Sequence, residues 1–239
     1  MKKSIVLATA VAAVLTSGVA SAELTANAAL TSNYIWRGVT QTTDQAAGQG
    51  GIDWGHDSGL YAGTWVSNVN FDNSDDGYEM DVYAGFAGEA GSFGYDLGVI
   101  TYQYPVSPQF NFTEVYVSGT MSIVTIGLNY TVDAASGNDA EKNPNASGMF
   151  ESGDLYVVGS LDFPAGKSDI SLYAGSYMFD QDGKDYSPTG NTVGNIDYSH
   201  FGASIGKDGF AFAVDKNDIE DGNADNVRFT VSYAVDFEL

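Results

Sequence analysis

From Val227 to the last residue, every second position is apolar: Val227, Phe229, Val231, Tyr233, Val235, Phe237 and Leu239. Between them stand Arg228, Thr230, Ser232, Ala234, Asp236 and Glu238. A strand sends successive side chains to opposite faces, so this segment has one oily face and one wet face along its whole length. A terminal strand of this kind, placed behind a secretory leader, is how outer-membrane β-barrels commonly close. A soluble sandwich more often ends on polar residues. The pattern predicts an all-β chain folded as a transmembrane, antiparallel, up-and-down β-barrel.

The other end agrees. Met1-Lys2-Lys3 is a short basic start, Ile5 to Leu15 is mostly apolar, and Val19-Ala20-Ser21-Ala22 offers a small-residue cleavage site. Residues 1–22 therefore read as a secretory signal peptide for the Sec route, and 23–239 as one barrel domain in the outer membrane of a Gram-negative cell. The apolar run is well short of the roughly 20 residues that a spanning helix needs. Losing Lys2 and Lys3 with the leader leaves 7 basic against 31 acidic residues, a net charge of −24. So acidic a chain repels nucleic acid. Cysteine is absent, which removes disulfides, thiolate chemistry and cysteine-ligated metal, and no cofactor is expected.

A two-residue period marks about twelve strands, over 24–38, 49–55, 60–70, 78–88, 93–103, 112–120, 124–132, 154–162, 169–178, 197–205, 210–215 and 227–239. Their connections alternate strictly between short and long. The short ones are His56–Gly59, Glu89–Ser92, Met121–Ile123, Pro164–Ser168 and Gly206–Gly209. The long ones are 39–48, 71–77, 104–111, 133–153, 179–196 and 216–226. Tight turns at one end and long loops at the other are the outer-membrane layout, with an even strand number and both termini in the periplasm.

Ser32-Asn33-Tyr34-Ile35-Trp36-Arg37-Gly38-Val39-Thr40-Gln41-Thr42, Gly50-Gly51-Ile52-Asp53-Trp54 and the run Ser58 to Val69 carry a family resemblance. This first quarter of the mature chain resembles the TorF-like porin family of Gram-negative bacteria. The resemblance implies an outer-membrane barrel and a pore without a settled substrate. Many outer-membrane proteins end in phenylalanine, whereas this chain ends in Leu239, a departure that bears on recognition by the barrel-insertion machinery.

If the apolar face meets lipid and lipopolysaccharide, the polar face lines the lumen. That places Asp53, Glu79, Asp81, Asp96, Glu114, Asp154, Asp162, Asp215 and Asp236 inside or at its rims, with Arg37 and Arg228 as the inward basic residues. Eight strands leave a filled barrel and 16 to 18 an open channel, so about twelve predict a narrow passage. Carboxylates there favour cations, giving passive diffusion of small hydrophilic solutes with cation preference. Arg37 and Arg228 are expected at similar height, either salt-bridged to wall acids such as Asp53 or forming a constriction of opposed charge. Two other readings stay open: a structural or adhesive barrel with a plugged lumen, and a substrate-specific channel lined by Tyr83, Tyr102, Tyr116, Tyr156, Tyr173, Tyr177 and Tyr198. Tyr34, Trp36, Trp54, Phe93, Tyr95, Phe210 and Phe237 are assigned to interfacial girdles on the lipid face.

The acidic runs Asp72–Gly77, Asp180–Asp185 and Asp218–Gly222 resemble calcium loops but lack the full ligand spacing, so they read as solvated loops. Loose calcium or magnesium bridging to lipopolysaccharide phosphates is the alternative. An enzyme is not expected. His56 falls in a turn, and alternation puts Ser199 on the opposite face from His200. Oligomeric state is left open by the sequence.

Overall fold

The structure is a computed structural model and describes residues 23–71, 77–135, 150–180, 197–220 and 224–239. The expected leader, most of the acidic runs at 72–77 and 180–185, and the end of the run at 218–222 lie outside the described residues. In chain order the strands are β1 (Glu23–Thr31), β2 (Ile35–Trp36), β3 (Val39–Thr40), β4 (Ala47–Gly55), β5 (Leu60–Val69), β6 (Gly77–Ala90) and β7 (Phe93–Gln103). They continue as β8 (Phe112–Met121), β9 (Val124–Ala134), β10 (Leu155–Ala165), β11 (Ser168–Met178), β12 (Tyr198–Lys207), β13 (Phe210–Asn217) and β14 (Arg228–Glu238).

All but β2 and β3 form one closed, antiparallel barrel of twelve strands in which β1 pairs with both β4 and β14. Closure matters because every backbone N–H and C=O in the wall then has a partner, which is the condition for crossing hydrocarbon with strands. The outward face carries Leu30, Ile126, Phe201, Phe229 and Val231, with Leu30 70% and Phe229 64% exposed. A continuous apolar exterior of this size suits lipid and not water. Trp54, Phe93, Phe210 and Phe237 lie outward at the turn end, where Trp54 stacks on His56.

The packed core lies inside the barrel, in the half next to the long connections. Tyr34, Tyr83, Tyr102, Tyr104 and Phe112 bury there in one cluster and Tyr156, Tyr177, Phe179 and Tyr198 in another, with Trp36 packed against both. The core is filled by the connection between β1 and β4. The sequence predicts strand through residue 38, yet β1 stops at Thr31 and residues 32–46 turn into the lumen.

The sequence explains how a loop can be buried there. Arg37 and Gly38 take left-handed φ values of 48° and 79°, which end the extended run and fold Ile35–Trp36 back on Val39–Thr40. A Cβ at position 38 would collide with the Cβ of His200, so the tight approach to the wall requires glycine. Asn33 and threonine side chains supply the polar partners that a buried loop needs. Thr40 Oγ1 donates to Asn33 Oδ1 at 2.6 Å, Thr31 Oγ1 donates to the Asn33 carbonyl at 2.8 Å, and the Tyr34 N–H donates to Thr42 Oγ1 at 3.2 Å. Tyr34 and Trp36 are therefore core residues and not girdle residues, because the alternation that placed them outward ends with β1.

Inward glycines seat the inward tyrosines. The rings of Tyr61, Tyr116 and Tyr173 lie across Gly85, Gly98 and Gly202 of neighbouring strands, where a Cβ would strike the phenol. A Gly98→Val variant is expected to lose about 1–3 kcal/mol by overpacking. Urea unfolding in lipid vesicles would read the loss, and an unchanged midpoint would show that the Tyr116 ring moves aside freely.

Candidate functional site

Arg37 stands at the centre of the packed half. Its guanidinium forms a two-pronged pair with Glu114 on β8, Nη1 to Oε1 at 2.9 Å and Nη2 to Oε2 at 2.6 Å. Both side chains are withdrawn from water, at 6% and 0% exposure. The carboxylate is further held by Asn129 Nδ2 at 3.1 Å and the Tyr102 hydroxyl at 3.3 Å, both donating to Oε2. The ladder between β8 and β9 shifts register beside Glu114, between Thr113 and Glu114. Such irregularities re-aim side chains and recur near functional sites.

The guanidinium faces aromatic rings on several sides. Its central carbon lies 4.2 Å from the Trp36 ring centroid, 4.1 Å from that of Tyr156 and 4.9 Å from that of Tyr177. Desolvated cation–π contacts add to the charge-assisted fork, so the site is chemically complete for a planar cation. Trp36 meets Tyr102, Phe112, Phe150 and Tyr177 edge-on at centroid separations of 5.7 to 6.2 Å. Phe150, from the connection after β9, stacks on Phe112 at 4.9 Å.

A second ion pair runs the other way. Arg228, at the start of β14, reaches Asp44 of the inserted loop with Nε to Oδ1 at 2.8 Å, while Asn33 Nδ2 donates to the same oxygen at 2.8 Å. Asn217 Nδ2 donates to the Gly38 carbonyl at 2.8 Å. The loop thus sends Arg37 to the wall, and the wall sends Arg228 and Asn217 to the loop. The two arginines take separate partners: Arg37 reaches Glu114 on β8, and Arg228 reaches Asp44 of the inserted loop. Both have carboxylate partners, Glu114 and Asp44, and neither pairs with Asp53.

The other residues expected in the lumen divide by depth. Glu79 and Asp81 on β6 are buried beside the loop, where Tyr34 donates to Glu79 Oε1 at 3.1 Å. Glu79 Oε2 and Asp81 Oδ1 find no donor among the described residues. Asp154 closes the loop end, accepting backbone N–H groups of Glu151 and Asp180 at 2.9 Å each. Burial pushes its carboxyl up to about 7, so near neutrality the rim is less negative than a residue count implies.

Nearer the turns, Asp53 accepts from Tyr83 and from Asn27 Nδ2 at 3.3 Å, and Asp96 accepts from Tyr61 at 2.6 Å. Asp215 lies toward the other end, opposite Arg228, where it is buried and accepts from Tyr173 at 2.6 Å. Asp162 and Asp236 share the inward face and stay exposed, Asp162 taking a bond from Ser160 at 2.6 Å and Asp236 standing opposite Asn27. One half of the lumen is filled and the other opens into a wet, acidic vestibule.

Sequence reasoning picked out Arg37, Arg228, Glu114, Tyr102, Tyr156 and Tyr177 but not which meets which; it set Trp36 in a girdle, weighed His200 only for catalysis, and did not single out Asn217 or Asp44. The available signal was the crowding of Asn and Thr around Trp36-Arg37-Gly38, which suits a self-satisfied loop better than a strand. His200 is buried with Nε2 2.7 Å from the Tyr156 hydroxyl, while Ser199 Oγ donates to Ser176 on the opposite face. No group of three or more potential metal ligands occurs among the described residues.

The chain superposes on the KdgM porin with a TM-score of 0.50 at 9% identity, covering 90% of this chain and 99% of that one. The NanC porin gives 0.50 at 10% identity, covering 90% and 100%. A third structure, from work on the in-meso crystallization of membrane proteins, gives 0.52 at 12% identity, covering 91% and 84%. At these identities the likeness is one of fold. No curated protein sequence matches the chain. The chain also matches one family model over residues 16–238 and belongs to that family, Gcw_chp, bacterial proteins of unknown function.

Proposed function

We propose that the protein is an outer-membrane porin through which small hydrophilic solutes diffuse passively, with preference for cations. The observation that carries this reading is the acidic, tyrosine-lined interior of a closed barrel with an apolar exterior. Both lumen arginines are spoken for by carboxylates, so Asp53, Asp96, Asp162 and Asp236 set the sign of the vestibule. Carboxylates in a narrow, partly dehydrated passage concentrate cations and exclude anions. The likeness to porins and the TorF-like run in residues 32–69 support the same reading. We assign the turns to the periplasm and the long connections to the cell exterior, with residues 1–22 removed after Sec export, and no catalytic step or cofactor is assigned. Bilayer lipid, lipopolysaccharide and the barrel-insertion machinery are the partners this location entails.

The test is single-channel recording in planar bilayers with a potassium chloride gradient. The expected result is discrete current steps with a reversal potential of cation-selective sign, and neutralising Asp53 and Asp96 to Asn should move it toward zero. An anion-selective potential would end the reading. One observation favours a second reading, a plugged structural barrel: the inserted loop fills the exterior half of the lumen. Silence from a folded, heat-modifiable barrel, persisting after the loop is shortened, would establish it.

A further inference from the structure

The surroundings of Arg37 amount to a receptor for its own side chain. Glu114 offers both oxygens in the plane of the guanidinium, Asn129 and Tyr102 fix that carboxylate, and the Tyr156 and Tyr177 rings supply aromatic faces. All of these groups belong to the barrel wall, so the receptor exists independently of the loop that fills it. Glu114 is wholly withdrawn from water, and a carboxylate left there without its counter-charge is costly, so the pocket holds hard to the cation it has or takes another in its place.

We propose that Glu114, Tyr102, Asn129, Tyr156 and Tyr177 form a binding site for guanidinium-type planar organic cations, occupied at rest by Arg37. A solute carrying a guanidinium competes with Arg37 for the fork and the ring faces, and the tether makes that competition reversible. The part of this inference that concerns passage rests on the porin reading; the binding itself does not.

The loop backbone offers a clean test. Arg37 adopts a left-handed φ, so Arg37→Gly removes the side chain and relieves the backbone in one change. The variant, refolded in detergent micelles, is titrated with low-millimolar guanidinium chloride against sodium chloride of equal ionic strength. The expected result is a saturable rise in unfolding temperature by several degrees with quenching of Trp36 fluorescence. The Arg37→Gly/Glu114→Gln double variant should show neither. The same salt effect in both variants, or no effect beyond sodium chloride, overturns the proposal. If Arg37→Gly refolds only when guanidinium is present, that is the same binding read as a folding yield; if it fails to refold with guanidinium while the double variant refolds, the proposal is overturned. Binding in micelles is independent of conductance, so a silent barrel in the bilayer would remove the porin reading and leave this site standing.

Discussion

Replacing Trp36 with alanine is expected to raise single-channel conductance severalfold and to lower stability by about 3–5 kcal/mol. Trp36 is where the two buried aromatic clusters meet, touching Tyr102, Phe112, Phe150 and Tyr177 by ring edges. Removing the indole leaves a void between the two clusters that polar neighbours such as Arg37 and Glu114 would hydrate. The loop itself would stay anchored through Asp44–Arg228 and Gly38–Asn217. The change should therefore appear as a wider passage and not as loss of the loop. Conductance equal to the parent barrel, with the expected loss of stability, would mean that the constriction lies elsewhere.

Glu114→Gln is expected to cost about 3–5 kcal/mol, because it keeps the volume and hydrogen-bonding outline of the side chain but leaves Arg37 buried without its counter-charge. A double replacement of the pair by Met and Leu should recover most of that loss, since a buried pair is commonly no more stabilising than apolar residues of similar size. Denaturant unfolding in lipid vesicles measures all three. Equal midpoints for Glu114→Gln and the parent would show that the fork contributes nothing to holding the loop. The two variants also separate two roles for the inserted loop, since one tests the volume it fills and the other the charge that fastens it.

Much of the barrel was legible in the chain. The clean alternation of Val124, Ile126, Leu128, Tyr130 and Val132 against Thr125, Gly127, Asn129 and Thr131 is β9, facing as expected. The inward setting of Tyr83, Tyr102, Tyr116, Tyr156, Tyr173, Tyr177 and Tyr198 follows from the same local rule. The failure at residues 32–38 comes from that rule too. Tyr34 and Trp36 alternate with polar neighbours as a strand would, and only a cavity waiting inside the barrel makes burial of a loop there favourable.

The abundance of glycine shows the same division. Composition counts 29 glycines, but that some of them seat tyrosine rings across the strand ladder depends on the register of neighbouring strands. What the sequence alone determined was the number of strands, their faces and the alternation of short and long connections, because side-chain period and turn chemistry act between near neighbours. What only the tertiary structure decided was which loop enters the lumen and which acid meets each arginine. Arg37 and Glu114 are 77 residues apart, and Arg228 and Asp44 are 184. Closure of the barrel brings those charges within reach, and burial makes the pairing of Arg37 with Glu114 obligatory.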